Sequence, residues 1–275
     1  MTDQNWTVAS PQAIDIDGVS ALKLGMIQGR FEVRVGDQPG VLVDISDVHG
    51  DPVDVAVSGG RLQIRHQLHG PQGWFKNLME TVNHTSANSA TIRLTVPAGT
   101  EVEVGTVRGD GLVSGVTGPT RLNTVSGSVA AENTAGELHV NTVSGTVTVS
   151  GHHGILTARS VSGEVHAAGD FTNVRATTVS GDLTFELLGN THDFGSNSVS
   201  GNLTVLLPHD VGADIVAKTA SGTVVIDDQH YAQVSGTVET ISGPDRQLML
   251  VRTNSMSGRT SILHRAAPEG AGTGL

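Results

Sequence analysis

Residues 142–159 read Thr142-Val143-Ser144-Gly145-Thr146-Val147-Thr148-Val149-Ser150-Gly151-His152-His153-Gly154-Ile155-Leu156-Thr157-Ala158-Arg159, and Ser160-Val161-Ser162-Gly163 then starts the same phrase again. Working outward, near copies of Thr-Val-Ser-Gly stand at Thr106 to Gly109, Thr124 to Gly127, Thr178 to Gly181, Ser198 to Gly201 and Thr219 to Gly222. Looser copies follow at Ile241-Ser242-Gly243 and Met256-Ser257-Gly258. The first four intervals between marker glycines are 18 residues, and the next two are 20 and 21. A second series, Gly118, Gly136 and Gly154, falls midway, so each repeat has two similar halves. Self-similarity at a fixed period is the signature of a stacked repeat architecture.

Strand side chains alternate faces, so positions counted from each marker sort into two sets. Two and four residues on stand Val129 and Ala131, Val147 and Val149, Val165 and Ala167, Leu183 and Phe185, Leu203 and Val205, Val224 and Ile226. One and three residues on stand Ser128, Thr146, Glu164, His166, Asp182, Thr184, Asn202 and Thr204. The first set is predicted to face inward and the second to face solvent. Successive copies then stack in parallel, about 4.8 Å apart, as an all-β parallel solenoid of seven to nine turns. The Thr/Ser column is expected to form a hydroxyl ladder at each corner, with the marker glycines relieving turns of positive φ. A right-handed coil follows from the handedness of parallel crossovers.

Composition agrees with a thin, regular scaffold. Among 275 residues there are 35 Gly, and aromatics make up 3%, so the expected core is Val, Leu, Ile, Ala and Thr. A net charge of -11 repels phosphate backbones and argues against a nucleic-acid partner. The absence of Cys excludes disulfides, thiolate nucleophiles and Cys-ligated metal centres. Met1 to Trp6 shows no basic or apolar leader, and no run approaches the ~20 apolar residues of a membrane span. The expectation is a cytoplasmic protein with no integral membrane segment.

Residues 1–105 lack the period but alternate, as in Phe31-Glu32-Val33-Arg34-Val35 and Thr91-Ile92-Arg93-Leu94-Thr95-Val96. They are expected to form an irregular, partly antiparallel β region that caps a solenoid of residues 106–264, because an open terminal rung is an unpaired strand edge. Residues 265–275 read as a disordered tail.

The repeated Thr-Val-Ser-Gly-x-Val, the segment Val96-Pro97-Ala98-Gly99-Thr100 and the early Gly29 to Val33 resemble the bacterial DUF4097 candidate adhesins, also called toastrack proteins, over roughly residues 10–263. The resemblance implies a single-stranded β-helix and brings no catalytic residues and no cofactor. It also implies a link to the bacterial cell envelope, which this chain would make peripherally. The expected function is a non-catalytic structural or interaction scaffold with an unidentified protein partner. Two alternatives are a β-helix carbohydrate-active enzyme and a bactofilin-like scaffold that polymerises through its solenoid edges.

Four groups of residues invite a chemical reading. Glu164 and Asp182 are one repeat apart and His166 shares their face, so two carboxylates about 5 Å apart at Cα stand beside an imidazole, as general acid–base work or a divalent cation would need. Calcium-roll chemistry does not fit, because the residue two after each marker is apolar where a carboxylate ligand would be required. His152-His153, at a half-repeat turn, and the pair His66 and His69 are expected as exposed loop residues, since neighbours on a strand point apart and chelate poorly. Finally, Trp74, Phe75, Leu78, Met79 and Val82 form one apolar stripe at helical spacing, either a short helix covering the core or an anchor for a partner or membrane surface.

Overall fold

The structure is a computed structural model and describes residues 3–66, 88–189, 191–244 and 248–266. Every regular element among them is a β-strand. The chain divides into two compact units, Met1–His139 and Val140–Leu275.

The first unit holds β1 (Gln4–Val8), β2 (Gln12–Ile16), β3 (Ala21–Val35), β4 (Val41–His49), β5 (Val53–Ser58), β6 (Arg61–His66), β7 (Ser89–Val96), β8 (Glu101–Ser114), β9 (Thr120–Thr124) and β10 (Ser128–Glu132), while β11 (Ala135–Thr142) contains the division. Parallel stacking begins earlier than the sequence period. β3 lies along β8 in parallel from Ala21↔Glu101 to Arg34↔Ser114, and β9 and β10 continue from the two halves of β8. On its other side β3 pairs in parallel with β6 and β7. Beyond them β5 pairs β6, β1 pairs β5, β4 pairs β7 and β2 pairs β4, all antiparallel.

The second unit holds β12 (Thr146–Ser160), β13 (Glu164–Thr178), β14 (Leu183–Leu187), β15 (Asp193–Ser198), β16 (Leu203–Leu207), β17 (Gly212–Ile226), β18 (Gln229–Ser242), β19 (Leu248–Ser255) and β20 (Arg259–His264). β12 and β13 stack from Thr146↔Glu164 to Ser160↔Thr178, the 18-residue offset of the repeat, and β14, β15 and β16 extend the stack. The order then departs from the sequence. β17 does not lie on β15 and β16; β19 and β20 do, and β17 packs on their far side. The reason is β18, which runs back antiparallel along β17 and returns the chain to fill the place left between.

The inward set is buried as the alternation predicts, Val147, Val165, Phe185 and Val205 all at 0% exposure. One expectation needs correction. Phe31, Phe171, Phe185 and Phe194 are all fully buried, so four of the chain's five Phe residues anchor a core expected to be aliphatic. Phe185 and Phe194 meet edge to face at 5.2 Å, a preferred aromatic geometry.

Each letter of the repeated phrase has a separate task at the corner. The first hydroxyl is buried and closes its own turn: Gly109 N donates to Thr106 Oγ1 at 2.7 Å, Thr142 Oγ1 donates to Gly145 O at 2.9 Å, and Ser160 Oγ donates to Gly163 O at 2.6 Å. These hydroxyls therefore act within a rung, where the sequence suggested a ladder between rungs. The link between rungs is the third-place Ser. Ser162 Oγ donates to Val143 O at 3.0 Å, and Ser180 and Ser200 reach Val161 O and Val179 O at 3.3 Å. Such neutral bonds contribute about 1 kcal/mol each. The marker glycine answers to packing. Gly163, Gly181 and Gly201 do not have positive φ, but a Cβ on each would lie 2.2, 2.0 and 2.0 Å from the carbonyl oxygen of the preceding marker. Positive φ occurs at the midway Gly136 and Gly154, 92° and 129°, and among the markers at Gly243 and Gly258 of the looser copies, 81° and 102°.

Candidate functional site

Glu164 and Asp182 stand on adjacent rungs, one residue before the pairing Val165↔Leu183, with Val165 N donating to Asp182 O at 3.0 Å. Glu164 and His166 are 3.5 Å apart and both exposed, at 59% and 48%. Asp182 has a structural task. Its Oδ1 accepts from Asn202 N at 2.9 Å and from Asn202 Nδ2 at 3.0 Å. The same position recurs as a staple from rung to rung, with Asp110 Oδ1 accepting from Ser128 N at 2.8 Å and Asn202 Oδ1 from Arg259 N at 3.1 Å. The register thus juxtaposes the three candidates on an open strand face, and one of the two carboxylates is already engaged by the stack.

The histidines differ from expectation. His152 is fully buried, not exposed in a loop, with its ring centroid 5.9 Å from that of Phe171; His153 points out toward Asp170 at 3.3 Å. The alternation that separates them is intact, but the pair lies inside β12, where register shifts at Ser150/His152 and Gly154/Ile155 turn one ring inward. His66 is also fully buried, and its Nε2 lies 2.9 Å from Asp51 O. His69, Trp74, Phe75, Leu78, Met79 and Val82 lie outside the described residues. Among the described residues no group of three His, Asp or Glu side chains could hold a metal ion.

One polar cluster has no signal in the sequence, because its members are 15 and 37 residues apart. Asp227 turns β17 into β18 with a left-handed φ of 48°, accepts from the Ser242 hydroxyl and from His264 N at 2.7 Å, and faces His264 Nδ1 at 3.0 Å. Burial pushes the Asp227 carboxyl up, but the Ser242 hydroxyl, the His264 amide and the His264 ring together hold it below the usual carboxylate value. His264 Nε2 faces Val211 O at 2.9 Å. Nucleophilic catalysis would need the imidazole between hydroxyl and carboxylate. Here Ser242 is bonded to the carboxylate and the cluster is a clamp.

In the first unit the second residue of the phrase is buried at Val107, which packs with Ile27 and Val125, but in the second unit it turns outward, so Val161, Val179, Val199 and Met256 are exposed apolar residues at 47%, 48%, 42% and 60%. In the first unit an open depression of ≈ 80 Å³ lies among Glu101, Glu103, Arg121, Glu137 and His139, room for a few waters. Of its charged lining, Glu103 pairs with Lys23 at 2.8 Å and Glu137 with His139 at 2.8 Å.

The family model described as Toastrack DUF4097 matches residues 31–262. Solved structures similar to this chain include a candidate adhesin from Bacteroides fragilis, at 12% identity and a TM-score of 0.42 over 92% of this chain and 97% of that one. A candidate lipid-binding protein from Parabacteroides distasonis follows, at 14% identity and a TM-score of 0.46 over 92% and 97%. A candidate adhesin from Parabacteroides merdae stands at 12% and 0.44 over 92% and 95%. No curated protein matches the sequence.

Proposed function

Because the chain belongs to the Toastrack DUF4097 family, we propose that it is a non-catalytic scaffold that presents a stiff β surface to a protein partner, in the cytoplasm or peripherally at the cell envelope. The observation that carries this reading is the use of the repeat's polar chemistry. The corner hydroxyls of Thr142, Ser160 and Thr178 close their own turns, while the linking hydroxyls of Ser162, Ser180 and Ser200 and the carboxylate of Asp182 hold neighbouring rungs together. What the repeat offers outward is a surface. Trp74, Phe75, Leu78 and Met79 carry the contact, as four large apolar residues within six sequence positions of an aromatic-poor chain. The same reading takes the fold as a single-stranded, right-handed β-helix that begins within residues 1–105 and is capped there by the antiparallel strands β1, β2, β4 and β5, supported by the parallel stacking of β3 on β8 and by the usual hand of parallel crossovers.

Affinity capture from the native source with the wild type and with Trp74→Ser/Phe75→Ser tests the partner: the wild type should retain a protein that the variant loses. Incubation with polysaccharides tests the absence of catalysis. No reducing ends should appear, and release that Glu164→Gln abolished would overturn the reading in favour of an enzyme.

A further inference from the structure

We propose that β18 is a dimerisation edge, with two copies of this chain pairing β18 against β18 antiparallel so that Glu239 of each copy faces His230 of the other. This rests on the scaffold reading only in treating an outer strand as a contact surface. β18 covers β17 along both of its halves, Gln229–Tyr231 against Val224–Ile226 and Gly236–Ser242 against Ala213–Thr219, and between them the register shifts where β17 turns the corner from β19 to β20, so that β18 bends with it. Among the described residues its other edge pairs with no strand.

The edges of the first unit are guarded in the ways that prevent edge pairing. β1 and β2 are five residues each, Pro11 stands between them, and Asp3, Asp15 and Asp17 flank or interrupt them. β18 is guarded less, by Asp228 at its start and Glu239 within it. It is 14 residues long, without Pro, Lys or Arg, and carries a single carboxylate. A long open edge of this kind is either a liability or an interface.

The bend selects the occupant. A straight peptide pairs with one half of β18 and leaves the other bare. A second β18 has the same bend, and a two-fold axis through it reverses the strand and exchanges its halves, so both halves find partners at once.

Register follows from the two faces of the strand. Val238 lies opposite Ala217 and Tyr231 opposite Val224, both on the inner face, while Glu239 and His230 are on the outer face and exposed. Keeping inner residues against inner ones, with the axis within the bend, leaves two registers that differ by two residues. One sets Thr240 against Tyr231 and Ile241 against His230. The other sets Val238 against Tyr231 and Glu239 against His230, apolar to aromatic inside and carboxylate to imidazole outside, each twice by symmetry. A hydrogen bond from imidazole to carboxylate outside and apolar contact inside both select the second.

Sedimentation equilibrium and light scattering of the full chain test it through exposed residues whose substitution spares the monomer. The wild type should be a dimer of the 28.4 kDa chain. Glu239→Lys and His230→Glu should each weaken the dimer about tenfold, because each change acts at two symmetric contacts. The double variant, which sets an ammonium against a carboxylate at each contact, should restore it. A monomeric wild type at high micromolar concentration, unchanged single variants, or a double variant as weak as the singles would overturn the proposal. So would particles growing beyond the dimer with concentration, which would place pairing at other edges as well. Loss of partner capture or the appearance of polysaccharide cleavage would count against the scaffold reading alone, with the dimer still measurable.

Discussion

At the scale of the residue, the repeat permits sharp contrasts between neighbours. Val147 is fully buried and Thr146, next to it, is half-buried on the outer face. Val147→Asp places an unpaired carboxylate in the core and should cost more than about 4 kcal/mol or prevent folding. Thr146→Asp adds a charge near Glu164 on the next rung and should cost under about 1 kcal/mol. Denaturant unfolding of the two variants measures the difference, and equal losses would refute the register. Two glycines make a second contrast. At Gly181 a Cβ would lie 2.0 Å from Gly163 O and 2.7 Å from Ser160 Oγ, so Gly181→Ala must push two rungs apart and should destabilise by about 1–3 kcal/mol. At Gly25 nothing lies within 4 Å and φ is not positive. Gly25→Ala should therefore be neutral or stabilise by up to about 1 kcal/mol, by restricting the unfolded chain. Similar melting temperatures for the two alanine variants would show that close stacking is not what the marker glycine serves.

At the scale of the element, the turn from β17 to β18 joins distant strands, because Asp227 in the turn holds Ser242 on β18 and His264 on β20. Its lowered pKa fixes the direction of the pH effect. A carboxylate depressed on folding contributes stability above its unfolded value, near 3.8, and that stability is lost as pH falls through the lower folded value. The melting temperature of Asp227→Asn should therefore fall below the wild type's at neutral pH, with the gap closing in acid below about pH 4. A gap that stayed constant from neutral pH into acid would assign the loss to turn geometry. The same element marks where sequence reading stops. Period and alternation made the faces of β12, β13, β14 and β16 legible, since they depend on near neighbours along the chain. β3 was not legible as a rung, because its corner reads Gly25-Met26-Ile27-Gln28-Gly29 and carries no hydroxyl to close the turn in the repeat's fashion. Nor was the buried His152, whose inward turn depends on a bulge. Of the candidate site, the column of Glu164 and Asp182 could be read from the period, but the engagement of Asp182 by Asn202 depends on the rung after it.

At the scale of the whole molecule, the order of stacking matters more than the number of repeats. A solenoid stacked in sequence order depends on its last turn least, since a terminal rung touches one neighbour and frays alone. Here the last strands of the chain, β19 and β20, lie between β15 and β16 on one side and β17 on the other, so they contribute two parallel interfaces. Met256 N donating to Ser198 O and Ser221 N donating to Met256 O mark the two sides of that inserted corner. Truncation after residue 247 would leave β15, β16 and β17 with open edges and expose the apolar positions of Phe194, Val205 and Ile215, now fully buried. The truncated chain should lose at least about 10 °C in melting temperature or aggregate, since removal of several buried side chains at about 2–4 kcal/mol each exceeds the reserve of an ordinary domain. Limited proteolysis should then cut within residues 212–242, which the full chain protects. If the truncated protein melted within a few degrees of the full chain and kept that protection, β17 and β18 would be able to close directly on β15 and β16, and the inserted rung would be an addition to a stack already complete.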